Sequence, residues 1–187
     1  MKAKIWSAAL AATALTSAQG AAAQQACVQA EDLSDTITYA MPAVYGAVQV
    51  PCSAIFAESA FMSNEAGAFV DQFRAMGDEA WPGTLRLLKV FMTSGQNAGD
   101  GMAEAVAQMP EDALRPLVDV ILTQMVEERL TKDMKVSTCA DIAEAMELIA
   151  PLPPENIAGL AAFLARQADL KNPQICGTGE TSTVSAE

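Results

Sequence analysis

From Cys27 to Cys176 apolar residues recur at spacings of three and four, and nowhere does strict alternation last long enough to suggest a strand. This pattern predicts an all-α chain. Leu33, Ile37, Ala40, Met41, Val44 and Val48 stay in phase across Pro42, so a long, kinked first helix is expected. Phe56 and Phe61 mark a short segment, and a cap at Ser63 or Asn64 should open the next helix, with Ala66, Phe69, Val70 and Phe73 on its inner face. Trp81, Leu85, Leu88 and Met92 form a further core stripe. SGQNAGDG, Ser94 to Gly101, is rich in helix breakers and reads as a flexible loop, with Asp100 placed to cap a short helix from Met102 to Met109. Pro110 and the acids after it open another helix, with Leu114, Leu117, Val118, Ile121 and Met125 along one side and Pro116 in its first turn or at a kink. The polar TKDMKVS ends that helix.

The last two helices are the most sharply punctuated. Thr138 and Asp141 have the spacing of a capping box, and Ile142, Ala145, Met146 and Ile149 form a stripe. In APLPPEN, Pro151 stops this helix, because it lacks an N–H and disfavours helical geometry in Ala150. Pro153 or Pro154 then begins the next helix, with Glu155 at the positive end of its dipole and Ile157, Leu160, Ala161 and Leu164 along one face. A C-terminal αα-hairpin is expected.

The ends of the chain set an address. Residues 1–23 carry Lys2 and Lys4, an Ala/Leu-rich stretch and small residues at Ala21 and Ala23, the layout of a secretory signal peptide. Residues 24–176 then make a single helical domain, a compact bundle of about six to eight helices, and 177–187 lacks core-forming residues and should be a disordered tail. No later stretch is long and apolar enough to span a bilayer, so no membrane insertion is expected after signal removal. A periplasmic or secreted bacterial protein is the expectation. The net charge of −12 disfavours nucleic acid and anionic lipid surfaces as partners. The remaining partner classes are another protein or an apolar small molecule.

Four cysteines, Cys27, Cys52, Cys139 and Cys176, form an even set that in an oxidising compartment predicts two disulfides. Their spacing matches no zinc pattern. Antiparallel packing of the last helix pair would bring the chain after Asp169 back toward Cys139, which favours Cys139–Cys176 and leaves Cys27–Cys52. That second bond requires an N-terminal arm folded back along the first helix, because a helix from Cys27 to Cys52 would hold its ends about 37 Å apart. The rival pairings join the N-terminal cysteines to the C-terminal unit.

The chain has no histidine, which removes Ser-His and Cys-His catalysis and histidine metal sites. NAGDG fails as a calcium loop, because Gln96, Ala98 and Ala107 fall where ligands belong. The methionines lie in phase with leucines and valines, as core filler rather than soft-metal ligands. No cofactor or metal is expected.

Two resemblances bear on function. FAESAFMSNEAGAF contains ESAF, which resembles the catalytic motif of lytic transglycosylases; on that resemblance Glu58 would be the general acid of a peptidoglycan-cleaving enzyme, kept protonated by burial beside Phe56 and Phe61. The usual proline after the motif is replaced by Ser63, and both tyrosines, Tyr39 and Tyr45, lie upstream of it. The unit CADIAEAMELIAPLPPENIAGLAAFLARQADLKNPQIC, with its two earlier cysteines, resembles small exported all-helical four-cysteine proteins of alphaproteobacteria. That likeness implies an architecture and an address, and no activity. The leading expectation is a non-enzymatic binding or interaction module. The alternatives are a carrier of an apolar ligand in a helical cavity and the Glu58 enzyme.

Overall fold

In the computed structural model, which describes residues 27–94, 106, 108–132, 134–168 and 174–176, the chain leaves an extended Gln29 and enters α1 (Ala30–Gln49). Glu31 and Asp32 occupy its first turn, where carboxylates meet the positive end of the helix dipole. The helix continues through Pro42, as the in-phase apolar residues require. The leader 1–23, nearly all of the Ser94–Gly101 loop, most of the Met102–Met109 segment and the tail 177–187 lie outside the described residues.

Pro51 breaks the chain after α1, and two short helices follow, α2 (Ser53–Glu58) and α3 (Ala60–Asn64). The cap that starts α3 is Ser59, whose Oγ accepts from the Met62 N–H at 3.2 Å. Contrary to the expectation from sequence, neither Ser63 nor Asn64 caps the next helix; their side chains bond back to the Ser59 and Ala60 carbonyls and so close α3. The chain then forms α4 (Ala66–Ala75) and α5 (Gly77–Ser94), the latter running through Pro82. Beyond Pro110 come α6 (Glu111–Thr131), which contains Pro116, then α7 (Val136–Ile149) and α8 (Pro154–Gln167). Thr138 lies inside α7 rather than at its cap, which Lys135 occupies without a side-chain bond. Pro154 opens α8 as its first residue, with Glu155 in the first turn.

α1 is the hub of the bundle. It packs against α4, α5, α6 and α8, while α7 lies over α2 and α3. The main core gathers Tyr45, Val48, Phe56, Phe61, Phe69, Val70 and Phe73 beneath α7. Phe69 bridges Phe61 and Phe73 in two edge-on contacts, with ring centroids 6.2 and 5.3 Å apart. A second cluster of Trp81, Leu85 and Leu114 joins α5 to α6, and Val28, Leu87 and Val90 pack together near the Cys27–Cys176 bond.

The disulfides correct the favoured pairing. Cys27 bonds to Cys176 and Cys52 to Cys139, with Cα atoms 5.0 and 5.3 Å apart. The reason lies in the partners of the last two helices. The proline corner is where the sequence puts it, but α7 takes α2 and α3 as neighbours whereas α8 takes α1. Cys139, in the first turn of α7, therefore meets Cys52 at the start of α2. The length of α1, 20 residues, keeps Cys27 away from Cys52. Instead, the chain after α8 returns to Val28, which donates to the Gln174 carbonyl and accepts from the Cys176 N–H, both at 2.9 Å, in an isolated parallel bridge to Ile175.

Candidate functional site

Glu58 is the last residue of α2 and its side chain is exposed, while Phe56 and Phe61 on either side are buried in the core. The burial that the transglycosylase likeness implies for this carboxyl is absent. A helix of only two turns explains this: the face that carries Ile55 and Phe56 turns inward and the carboxyl of Glu58 points to the outer side. Among the described residues, no group of three Cys, Asp or Glu side chains is placed to hold a metal. Met62 is buried in the main core, with Met41, Met134 and Met146 packed against it. The Met134 sulfur lies 3.3 Å from Cys52 Sγ, over the inner disulfide.

Two polar clusters tie α1 to its neighbours. In the first, α1 supplies Tyr39, α5 Trp81 and Asp78, and α6 Arg115 and Asp119. The Tyr39 and Trp81 ring centroids are 5.4 Å apart, and the Arg115 guanidinium carbon lies 5.6 Å from each centroid. Arg115 pairs with Asp78 at 2.6 Å, and the Tyr39 hydroxyl donates to Asp119 Oδ1 at 2.5 Å. Burial, and then the bond to Asp119, push the Tyr39 hydroxyl up to about 12, against the opposing pull of Arg115. In the second cluster, Arg86 of α5 reaches the buried Asp32 with Nε and Nη2, at 2.8 and 2.7 Å. Asp35, one turn further along α1, is raised above the ordinary carboxylate value by burial, only partly offset by Arg86. Each arginine is occupied by a carboxylate, and the tyrosine proton is held rather than released. These clusters clamp α1 to α5 and α6.

The surface carries the less expected feature. On α6, Leu114 is buried and Val118, Leu122 and Val126 are partly buried toward α1, but Leu117, Val120, Ile121 and Met125 are 40–55% exposed. On α8, Ile157, Ala158 and Ala162 face inward, while Leu160, Phe163 and Leu164 are 45–57% exposed. Leu117, Ile121, Met125, Leu160 and Leu164, read from sequence as members of apolar stripes, therefore belong to an outer face. The cause is one-sided packing, since α1 is the principal partner of both helices. The signal was present in the sequence: α6 carries two apolar stripes at helical spacing, and a helix packed mainly on one side buries only one of them. The chain matches no protein-family model, no curated protein and no solved structure.

Proposed function

We propose that this protein is an exported, non-enzymatic interaction module, a disulfide-stapled helical scaffold that presents apolar helix faces to a partner in the periplasm or outside the cell. The observation that carries this reading is the pair of exposed stripes, Leu117–Val120–Ile121–Met125 on α6 and Leu160–Phe163–Leu164 on α8. Single exposed leucines are ordinary on a protein surface, whereas contiguous stripes on two helices of one small domain mark places where another molecule sits. The address rests on the leader-like residues 1–23 and on the two disulfides.

Photo-crosslinking in the native host tests the reading. With benzoylphenylalanine in place of Ile121 or Leu160, discrete adducts should form on irradiation, and the same substitution at exposed Asp71 on α4 should give none. Absence of adducts from both apolar positions, or equal labelling at Asp71, overturns it.

A further inference from the structure

We infer that Met125, on the outer face of α6, is an oxidation site: a peroxide converts its thioether to the sulfoxide, which makes the apolar stripe polar and releases what docks there. The release rests on the interaction-module reading; the modification does not.

Met125 is 55% exposed, whereas Met62 is buried and the other described methionines are partly buried. Met134 gives the sharpest contrast, its sulfur packed 3.3 Å from Cys52 Sγ over the inner disulfide. All four cysteines are held in disulfides, so no thiol competes for a two-electron oxidant, and an accessible thioether is left as the reactive sulfur. Leu117, Ile121 and Met125 also follow one another at single helical turns, which lines them along one ridge of α6. The most accessible described methionine is therefore part of the apolar face itself.

The step needs only the peroxide. A sulfur lone pair attacks one oxygen of hydrogen peroxide, the O–O bond breaks as the S–O bond forms, and water leaves; sulfur loses two electrons and the peroxide gains them. The product sets a strong hydrogen-bond acceptor beside Leu117 and Ile121. Covering that oxygen with an apolar partner costs free energy unless the partner offers a donor. Methionine sulfoxide reductases reverse the step with a dithiol, which becomes a disulfide while the oxygen departs as water.

The test exposes purified, disulfide-bonded protein to hydrogen peroxide and follows oxygen uptake at each methionine by peptide mass mapping. Met125 should react at least about tenfold faster than Met62 and Met134. Peroxide should shorten retention on a phenyl matrix in the wild type and not in Met125→Leu, which keeps an apolar side chain of similar volume but takes no oxygen. In the native host, with benzoylphenylalanine at Leu117, photo-adducts should fall at least about fivefold after a peroxide pulse and persist in the Met125→Leu background. Oxidation of Met125 no faster than Met62, or retention that its oxidation leaves unchanged, overturns the inference. So do adducts that survive with Met125 oxidised, or that are lost equally in Met125→Leu, which would place the sensitive group elsewhere. Adducts missing before any peroxide remove the interaction reading and the release with it, while the rate of oxygen uptake at Met125 still decides the modification.

Discussion

Gly83 of α5 lies tightly against Asp35 of α1, where a Cβ would stand 2.7 Å from both Cβ and Cγ of Asp35 and nearer still to a carboxylate oxygen. In an open stretch of helix, Gly→Ala stabilises by about 0.5–1 kcal/mol through helix propensity. At this site the sign should reverse. Carbon atoms need roughly 3.5–4 Å, so the helices must separate by about 1 Å, and overpacking of this kind costs about 1–3 kcal/mol. Part of the obstruction is Asp35 Cβ, which is fixed to the α1 backbone and cannot swing away. Gly83→Ala should therefore lose about 1–2 kcal/mol net, or about 2–8 °C in Tm for a domain of this size. Gly46→Ala on α1, where the new methyl meets nothing within 4 Å, is the control and should be neutral or stabilising. Chemical and thermal denaturation of Gly83→Ala, Asp35→Gly and the double variant complete a cycle. Asp35→Gly alone costs only about 0.3 kcal/mol of helix propensity, because Asp is already a poor helix former, and in the double variant it should recover at least about 1 kcal/mol of the steric loss. A Gly83→Ala protein as stable as wild type, or two effects that add within about 0.5 kcal/mol, would refute the contact.

Three further outcomes follow from the same geometry. Asp35 is raised above 3.8 in the folded chain, so its contribution to stability is fully present below that value and is lost as pH rises through the folded value; Asp35→Asn should remove this component from a stability–pH curve. Tyr39 should ionise near 12 rather than 10 in an absorbance titration, and stability should fall between those two values because the unfolded chain gives up the proton first. Replacing Cys52 and Cys139 by Ala should cost roughly 4.6 kcal/mol by the chain-entropy estimate for a cross-link spanning 87 residues, and a non-reducing peptide map should yield only Cys27–Cys176 and Cys52–Cys139 peptides from the wild type.

Helix type and much of the core were legible in the chain. Phe69, Val70 and Phe73 sit where the three-four spacing places them, α1 runs through Pro42 because its apolar residues keep phase, and Pro154 starts α8 because a first-turn proline sacrifices no intrahelical bond. The partners of each helix were not legible. Periodicity reports that Leu117, Ile121, Leu160 and Leu164 share a stripe, but a stripe does not say whether a neighbour of the same chain covers it. The same blindness misassigned the disulfides: adjacency in sequence suggested that the last two helices lie together, while tertiary packing sends α7 to α2 and α3 and α8 to α1. The four-letter likeness around Glu58 implies a buried carboxyl, and no sequence pattern told which side of its short helix Glu58 would occupy; it lies on the exposed side.

The central claim is that α6 and α8 display apolar faces that the fold leaves uncovered. Hydroxyl-radical footprinting of the purified, oxidised protein, read residue by residue by mass spectrometry, measures this directly. Ile121, Met125, Leu160, Phe163 and Leu164 should be modified readily, and Phe69 and Phe73 should be protected as core. Protection of the first group to the level of Phe69 and Phe73 in the monomer would contradict the account, since those faces would then be covered by the chain itself.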